Sequence, residues 1–233
     1  MRAFARFFLL FCLSASGQVG LHADDAALPK LIVYGDSAAP HEGPEESFQP
    51  TAHTFQLVNA FLTHTGLEYE FAFMPWPRAL REVQASNNGV IFALLRMPER
   101  EPGFHWILPL TEAGPMRLFA RKGDIPEDFE AENMAQWSGT AACEKAAAQC
   151  MALEEFGFPQ ERILLIPEAR DGAVEQMVLR GRADFMAGFD DAVAGNLARL
   201  GYAADALVPV ANLNDVADYL AAPKNWMQGC SNG

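Results

Sequence analysis

The chain has 233 residues, 17 Lys and Arg against 30 Asp and Glu, a formal net charge of -13, and half of its residues apolar. That apolar share excludes a disordered chain. The acid excess excludes nucleic acid or an anionic membrane surface as a partner, since each demands a basic face, and no apolar run approaches the roughly 20 residues of a membrane-spanning helix.

Met1 to Ala23 reads as a secretory signal. Arg2 and Arg6 give the positive start, Phe7 to Leu13 the apolar segment, and Leu21-His-Ala23 a small-residue end before Asp24-Asp25. Cys12 follows Phe11, where a lipid-anchor signal wants a small residue, so no lipid anchor is expected. The address expected is the bacterial periplasm.

The elements then follow in order. Leu31 to Tyr34 is a short β-branched apolar run, a buried strand. Thr51 to Thr65 places Phe55, Val58, Phe61 and Leu62 on one helical face and stops at Gly66. Leu67 to Met74 is a strand, Pro77 to Ala85 a helix opened by proline, and Gly89 to Leu95 and Phe104 to Leu108 are strands. The divide between two halves is expected near Thr111 to Ala120. Beyond it, Thr140 to Cys143 is a weak strand, and Ala147 to Phe156 a helix with Met151, Leu153 and Phe156 inward. Arg162 to Ile166 is a strand, Asp171 to Arg180 a helix capped by Asp171, and Ala183 to Ala187 a strand. Asp190 to Leu200 is a helix, and Leu207 to Ala211 and Ala217 to Ala222 are strands. The alternation predicts an α/β fold with helices covering a largely parallel sheet.

Three cysteines follow the signal: Cys143, Cys150 and Cys230. The C-x6-C spacing, with no histidine near it, fits no common zinc motif, and no metal is expected. In an oxidising compartment a Cys143–Cys150 disulfide is plausible. It would tie a strand to the first turn of the next helix. Cys230 is left to pair elsewhere or stay free.

Three segments carry a resemblance. They are Met74-Pro-Trp-Pro-Arg-Ala-Leu-Arg-Glu-Val83, Asn88 to Arg100 (ending Arg-Met-Pro-Glu-Arg), and Phe104 to Leu110. With the turn and strand Arg180-Gly-Arg-Ala-Asp-Phe-Met-Ala-Gly188, they resemble bacterial extracellular solute-binding proteins of family 3, the type II periplasmic binding proteins. The order and spacing match across most of residues 28 to 222. The resemblance implies two lobes on a hinge, with a small-molecule ligand in the cleft between them. Residues 24–113 and 210–233 would form lobe one and 114–209 lobe two. It also implies a monomer without cofactor that serves a membrane transporter permease or receptor.

Arg100 falls on the family's ligand-carboxylate arginine. The residue type fits independently, because a guanidinium presents a planar fork that meets a carboxylate with two parallel hydrogen bonds. A surface pairing with Glu99 or Glu101 is the alternative. Arg96 and Arg78 lie on the same lobe as candidates to share the anion. Trp76, in a Pro-Trp-Pro turn, is a candidate wall or a core residue. Asp36 follows the first strand, and Phe48 is a candidate aromatic lid. Asp190, or Asp191 if the alignment shifts, is a candidate partner for a ligand ammonium, and helix capping explains either as well. The amides of Ala148 and Gln149 stand at a helix start. Leu95 occupies the place of a usual Thr or Ser, and Ala146-Ala-Ala148 replaces a usual Gly-Ser or Gly-Thr. The chain stops soon after Lys224, short of the terminal helix that the resemblance implies.

Enzyme readings are weaker. Val33-Tyr-Gly-Asp-Ser37 resembles the opening block of Gly-Asp-Ser esterases, but no histidine lies beyond His105 to act as base. A lyase or dehydratase on the binding-protein fold would use paired carboxylates, and a sensor module would report the ligand to a membrane partner. The expectation is a binding protein that is not an enzyme.

Overall fold

The computed structural model describes residues 30–37, 50–125 and 138–226. The signal segment, Phe48 and Cys230 lie outside the described residues. Ten strands and five α-helices are present among them. In the first half they are β1 (Leu31–Asp36), α1 (Pro50–Thr65), β2 (Tyr69–Met74), α2 (Trp76–Ala85), β3 (Gly89–Leu95), β4 (Phe104–Pro109) and β5 (Gly114–Arg121). Then come β6 (Ala141–Glu144), α3 (Ala148–Phe156), β7 (Ile163–Ile166), α4 (Ala173–Leu179), β8 (Phe185–Gly188), α5 (Asp190–Leu200), β9 (Leu207–Val216) and β10 (Asp218–Pro223).

The strands form two five-stranded sheets, ordered β2-β1-β3-β10-β4 and β7-β6-β8-β5-β9. Each is mixed, which corrects the expectation of a largely parallel sheet. β1, β2 and β3 run parallel, but β10 returns antiparallel to β3 and β4. In the second sheet β5 is antiparallel to both β8 and β9. The reason is topological: parallel neighbours need a crossover helix, and a strand that arrives directly from the other sheet has none. The expected divide near Thr111 to Ala120 contains β5, a strand that the sequence reading did not include. Gly114–Arg121 is a strand whose Met116, Leu118 and Ala120 are buried.

Period-two alternation puts a helix on each face of the first sheet. Val33, Val90 and Leu220 pack with Val58 and Leu62 of α1. Their neighbours Tyr34, Ile91 and Ala221 pack with Ala79 and Val83 of α2. The second sheet repeats the plan. Leu118, Ala141 and Ala187 meet Leu153 of α3, while Phe119, Ala142 and Met186 meet Val178 of α4 and Leu197 of α5. Gly35 has to be glycine, because an added Cβ would lie 2.4 Å from the Phe92 ring. α4 starts at Ala173 after Gly172 at φ 70°, two residues beyond the expected start at Asp171.

Two short crossings join the sheets, from Pro109 to Gly114 and from Val216 to Asp218. They are laced together by Leu110 N–H to Asp218 O at 2.8 Å and Asp218 N–H to Thr111 Oγ1 at 2.9 Å. Arg96 N–H donates to Ala217 O at 3.0 Å. Residue 210, the expected start of the returning segment, lies inside β9, and the chain rejoins the first sheet at Asp218. Leu95 and Met97 share a core cluster with Met116 and Val216, so apolar packing continues through the crossing.

A disulfide joins Cys143 in β6 to Cys150 in α3, with Cα atoms 5.5 Å apart. A crosslink of this short span stabilises by about 2 kcal/mol through the unfolded chain. Replacing both cysteines with alanine should lower the melting temperature by about 6 °C for a chain of this size. A calorimetric scan checks it, and an unchanged midpoint would show that the bridge adds nothing.

Candidate functional site

The candidate site lies at the seam between the lobes, where the carboxyl ends of β1, β3 and β6 face one another. In α/β sheets this is where ligands bind. On the first lobe, β3 carries a bulge: the pairing with β10 shifts between Leu94 and Ile91, and Ala93 there has a φ of 56°. The strand ends at Leu95. Met97 and Pro98 then start a single 3-10 turn, Pro98–Arg100, that turns Arg100 back toward the strand end. Pro75 and Pro77 fix the start of α2 at Trp76.

Arg100 is 5% exposed. Its Nη1 donates to Leu95 O at 2.9 Å, within its own lobe, and its Nη2 donates to Ala146 O of the second lobe at 3.0 Å. Its Nε is buried without a hydrogen-bond partner. The guanidinium lies 5.9 Å from the Trp76 ring centroid. It forms no salt bridge among the described residues. Burial lowers its pKa to about 10, partly offset by the charges of Asp218 and Glu99, so it remains a cation at neutral pH. Asp218, partly buried in the returning strand, is raised to about 6 by burial, against the pull of Arg100.

Trp76 is 7% exposed and packs with Tyr34, Ala79, Val83 and Ile91. Its indole Nε1–H donates to the same Ala146 oxygen at 3.2 Å. Ala146 has a φ of 65°. A left-handed alanine costs roughly 1–2 kcal/mol, and such residues persist only where their surroundings hold them. Here a tight turn, Ala147 N–H to Glu144 O at 3.0 Å, and the Cys143–Cys150 bridge enclose it.

A second group of polar contacts crosses the seam beside the end of β1. Arg170 Nη2 donates to Ser37 Oγ at 3.1 Å, Ser37 Oγ donates to Glu168 Oε1 at 3.4 Å, and Arg170 Nε meets Glu168 Oε1 at 2.5 Å. Ser37 is thus engaged by an acid and a guanidinium from the other lobe. Glu144, at the end of β6, accepts Ala169 N–H at 3.1 Å. Burial, then the charges of Asp36 and Glu168, push its carboxyl up to about 7. Glu144 also lines a cavity of about 160 Å³ in lobe two with Gln149, Glu175, Phe189 and Asn196. Glu175 is buried and accepts the Asn196 amide, and burial raises its pKa.

The remaining predicted residues separate. Asp36 ends β1 and acts electrostatically on Glu144. Arg96 is exposed and committed to Glu101, with Nε 2.6 Å from Oε1. Its guanidinium lies 5.4 Å from the Trp106 ring centroid and 5.5 Å from that of Tyr219. Arg78 is exposed and faces Glu82 at 3.7 Å one helical turn on. Asp190 opens α5, half exposed, 3.3 Å from Arg117 Nη2. Phe48 is not among the described residues. The reading by residue type did not single out Glu144, Glu168, Arg170, Arg117 or the Ala146 carbonyl. Glu144, Glu168 and Arg170 could have been found from their positions at or just beyond strand ends; Arg117 lies in the middle of β5, and the carbonyl has no side-chain signature.

The sequence matches no family model and no curated protein. Solved structures do match. A histidine kinase sensor domain described as similar to periplasmic binding proteins superposes with a TM-score of 0.66 at 17% identity, covering 84% of this chain and 83% of that one. Holo ArgBP from T. maritima gives 0.62 at 16% identity, over 84% and 83% of the two chains. The amino acid ABC transporter substrate-binding protein AbpA from Streptococcus pneumoniae, bound to L-arginine, gives 0.60 at 16% identity, over 84% and 81%. The two mixed sheets with their helices are the two-lobe fold of the periplasmic binding proteins.

The raised carboxyls fix a pH dependence of stability. The fold favours the protonated form of Glu144, so its contribution is complete below the unfolded value of 4.5 and is lost as pH rises through about 7. Asp218 behaves alike between 3.8 and about 6. Glu144→Gln should therefore be more stable than the parent at pH 8 by about 2 kcal/mol, with the difference shrinking below pH 6. Urea midpoints at both pH values check this, and a constant difference would contradict it.

Proposed function

We propose that this chain is a solute-binding protein of the family 3 type, exported to the periplasm. It takes a small carboxylate-bearing, amino-acid-like ligand between its lobes and passes it to a membrane transporter. It acts as a monomer, without cofactor and without turning over its ligand. Lobe one runs to residue 113 and is completed by the returning C-terminal segment.

One observation carries this reading: Arg100 is a buried cation at the seam whose hydrogen bonds go to neutral carbonyls and whose Nε has no acceptor. A buried charge calls for a counter-charge. A ligand carboxylate laid along the Nε–Nη2 edge supplies it, with two charge-assisted bonds. Trp76 backs the guanidinium. Asp36, Glu144 and Glu168 give the seam an acidic side that suits a ligand amine, with Asp190 available once Arg117 releases it. Arg96 and Arg78, committed to Glu101 and Glu82, tune the surrounding field. The arginine bound by AbpA, on the same fold, supports an amino-acid-type ligand.

The likeness to a histidine kinase sensor domain favours a second reading, in which the loaded form signals to a membrane receptor. Uptake of labelled ligand that depends on this protein separates transport from sensing. A lyase on this fold would use Glu144, whose pKa of about 7 suits acid–base work; recovery of the bound ligand unchanged excludes it.

A thermal-shift screen of amino acids, small organic acids and polyamines should return a carboxylate as the stabiliser. Arg100→Ala should then weaken that ligand by about 2–5 kcal/mol in calorimetry. An unchanged affinity, or a screen answered by polyamines alone, would overturn the reading.

A further inference from the structure

We propose that the Ala146 carbonyl is a built-in competitor for the Arg100 fork, and that it latches the lobes together until a carboxylate displaces it. Two donors from the first lobe, Arg100 Nη2 and Trp76 Nε1, converge on this one oxygen of the second lobe, at 3.0 and 3.2 Å. A carbonyl oxygen has two lone pairs, so both bonds form together and the acceptor is saturated.

The acceptor is aimed by its own chain. Ala146 is one of two non-glycine residues with positive φ among the described residues. The tight turn at Glu144 and the crosslink from Cys143 to Cys150 hold it in that conformation. An extended alanine would turn its peptide away from Arg100. The disulfide loop is therefore a positioning device for an interlobe contact, in addition to a stabilising one. The bonds from Arg170 through Ser37 to Glu168 supply a second tie across the same seam.

The latch sets a threshold on what can enter. A guanidinium holds a carboxylate more strongly than a neutral carbonyl, because both partners are charged and the planar fork makes two parallel bonds. A carboxylate therefore displaces the Ala146 oxygen, whereas an amide or alcohol only matches it. The apparent affinity of any ligand is reduced by the fraction of molecules that are open. Loosening the latch should tighten carboxylate binding, and removing the fork should abolish it. This second half rests on the reading of Arg100 as the ligand's anchor; the latch itself does not.

The test uses the full chain in two arms. Without added ligand, small-angle scattering compares the parent with Arg100→Met, which keeps the buried volume, and with the Cys143→Ala/Cys150→Ala pair. Circular dichroism confirms folding, and dithiothreitol reduction of the parent gives a second route to the opened loop. The latch predicts a larger radius of gyration for Arg100→Met, the cysteine pair and the reduced protein. Identical scattering for all of them overturns it. In the second arm, the carboxylate that stabilises the parent should bind the cysteine pair roughly threefold to tenfold tighter, and Arg100→Met not at all. Opening of the variants with no carboxylate bound by any form supports the latch and removes the ligand reading. Opening with weaker carboxylate binding by the cysteine pair overturns the competitor role.

Discussion

A guanidinium shut into the seam between two lobes is the constraint around which the rest of the molecule is arranged. Arg100 keeps its charge at neutral pH, yet its two direct acceptors are uncharged oxygens, one from each lobe. Desolvating a cation on such terms is costly, and replacement of a buried ion by an apolar residue is often neutral or stabilising. A cation buried on such terms, in a chain with a 13-charge acid excess, points to use rather than to stability.

Local backbone features are subordinate to that cation. The bulge at Ala93 and the 3-10 turn at Pro98 bring the Leu95 carbonyl and the Arg100 side chain together. The left-handed Ala146 delivers the second acceptor across the seam. Trp76 covers the arrangement and shares that acceptor. On the other side of the seam the balance inverts: Glu144 sits near Asp36 and Glu168, and its own proton relieves part of the repulsion. A zwitterion set between Arg100 and those acids would satisfy both sides.

Much of this was legible in residue order. Apolar runs, glycine stops and proline starts located most of the strands and helices, since local periodicity and long-range packing agree here. β5 was missed although Met116, Leu118 and Ala120 alternate, because its Gly-Pro start and two arginines look like a connector. The antiparallel returns were not legible, since a strand's direction depends on which sheet the chain has just left. Arg96 and Arg100 look alike in sequence. Their fates diverge through contacts distant in sequence, Tyr219 for one and Ala146 for the other. A backbone carbonyl leaves no mark on composition, so Ala146 could be found only in three dimensions.

The most direct measurement is the Nε–H resonance of Arg100 in protein labelled with 15N-arginine, followed during titration with the stabilising carboxylate and with its neutral amide analogue. A downfield shift and slower hydrogen exchange are expected with the carboxylate, and no change with the amide. Saturable carboxylate binding that leaves this resonance unmoved would place the ligand elsewhere and contradict the account.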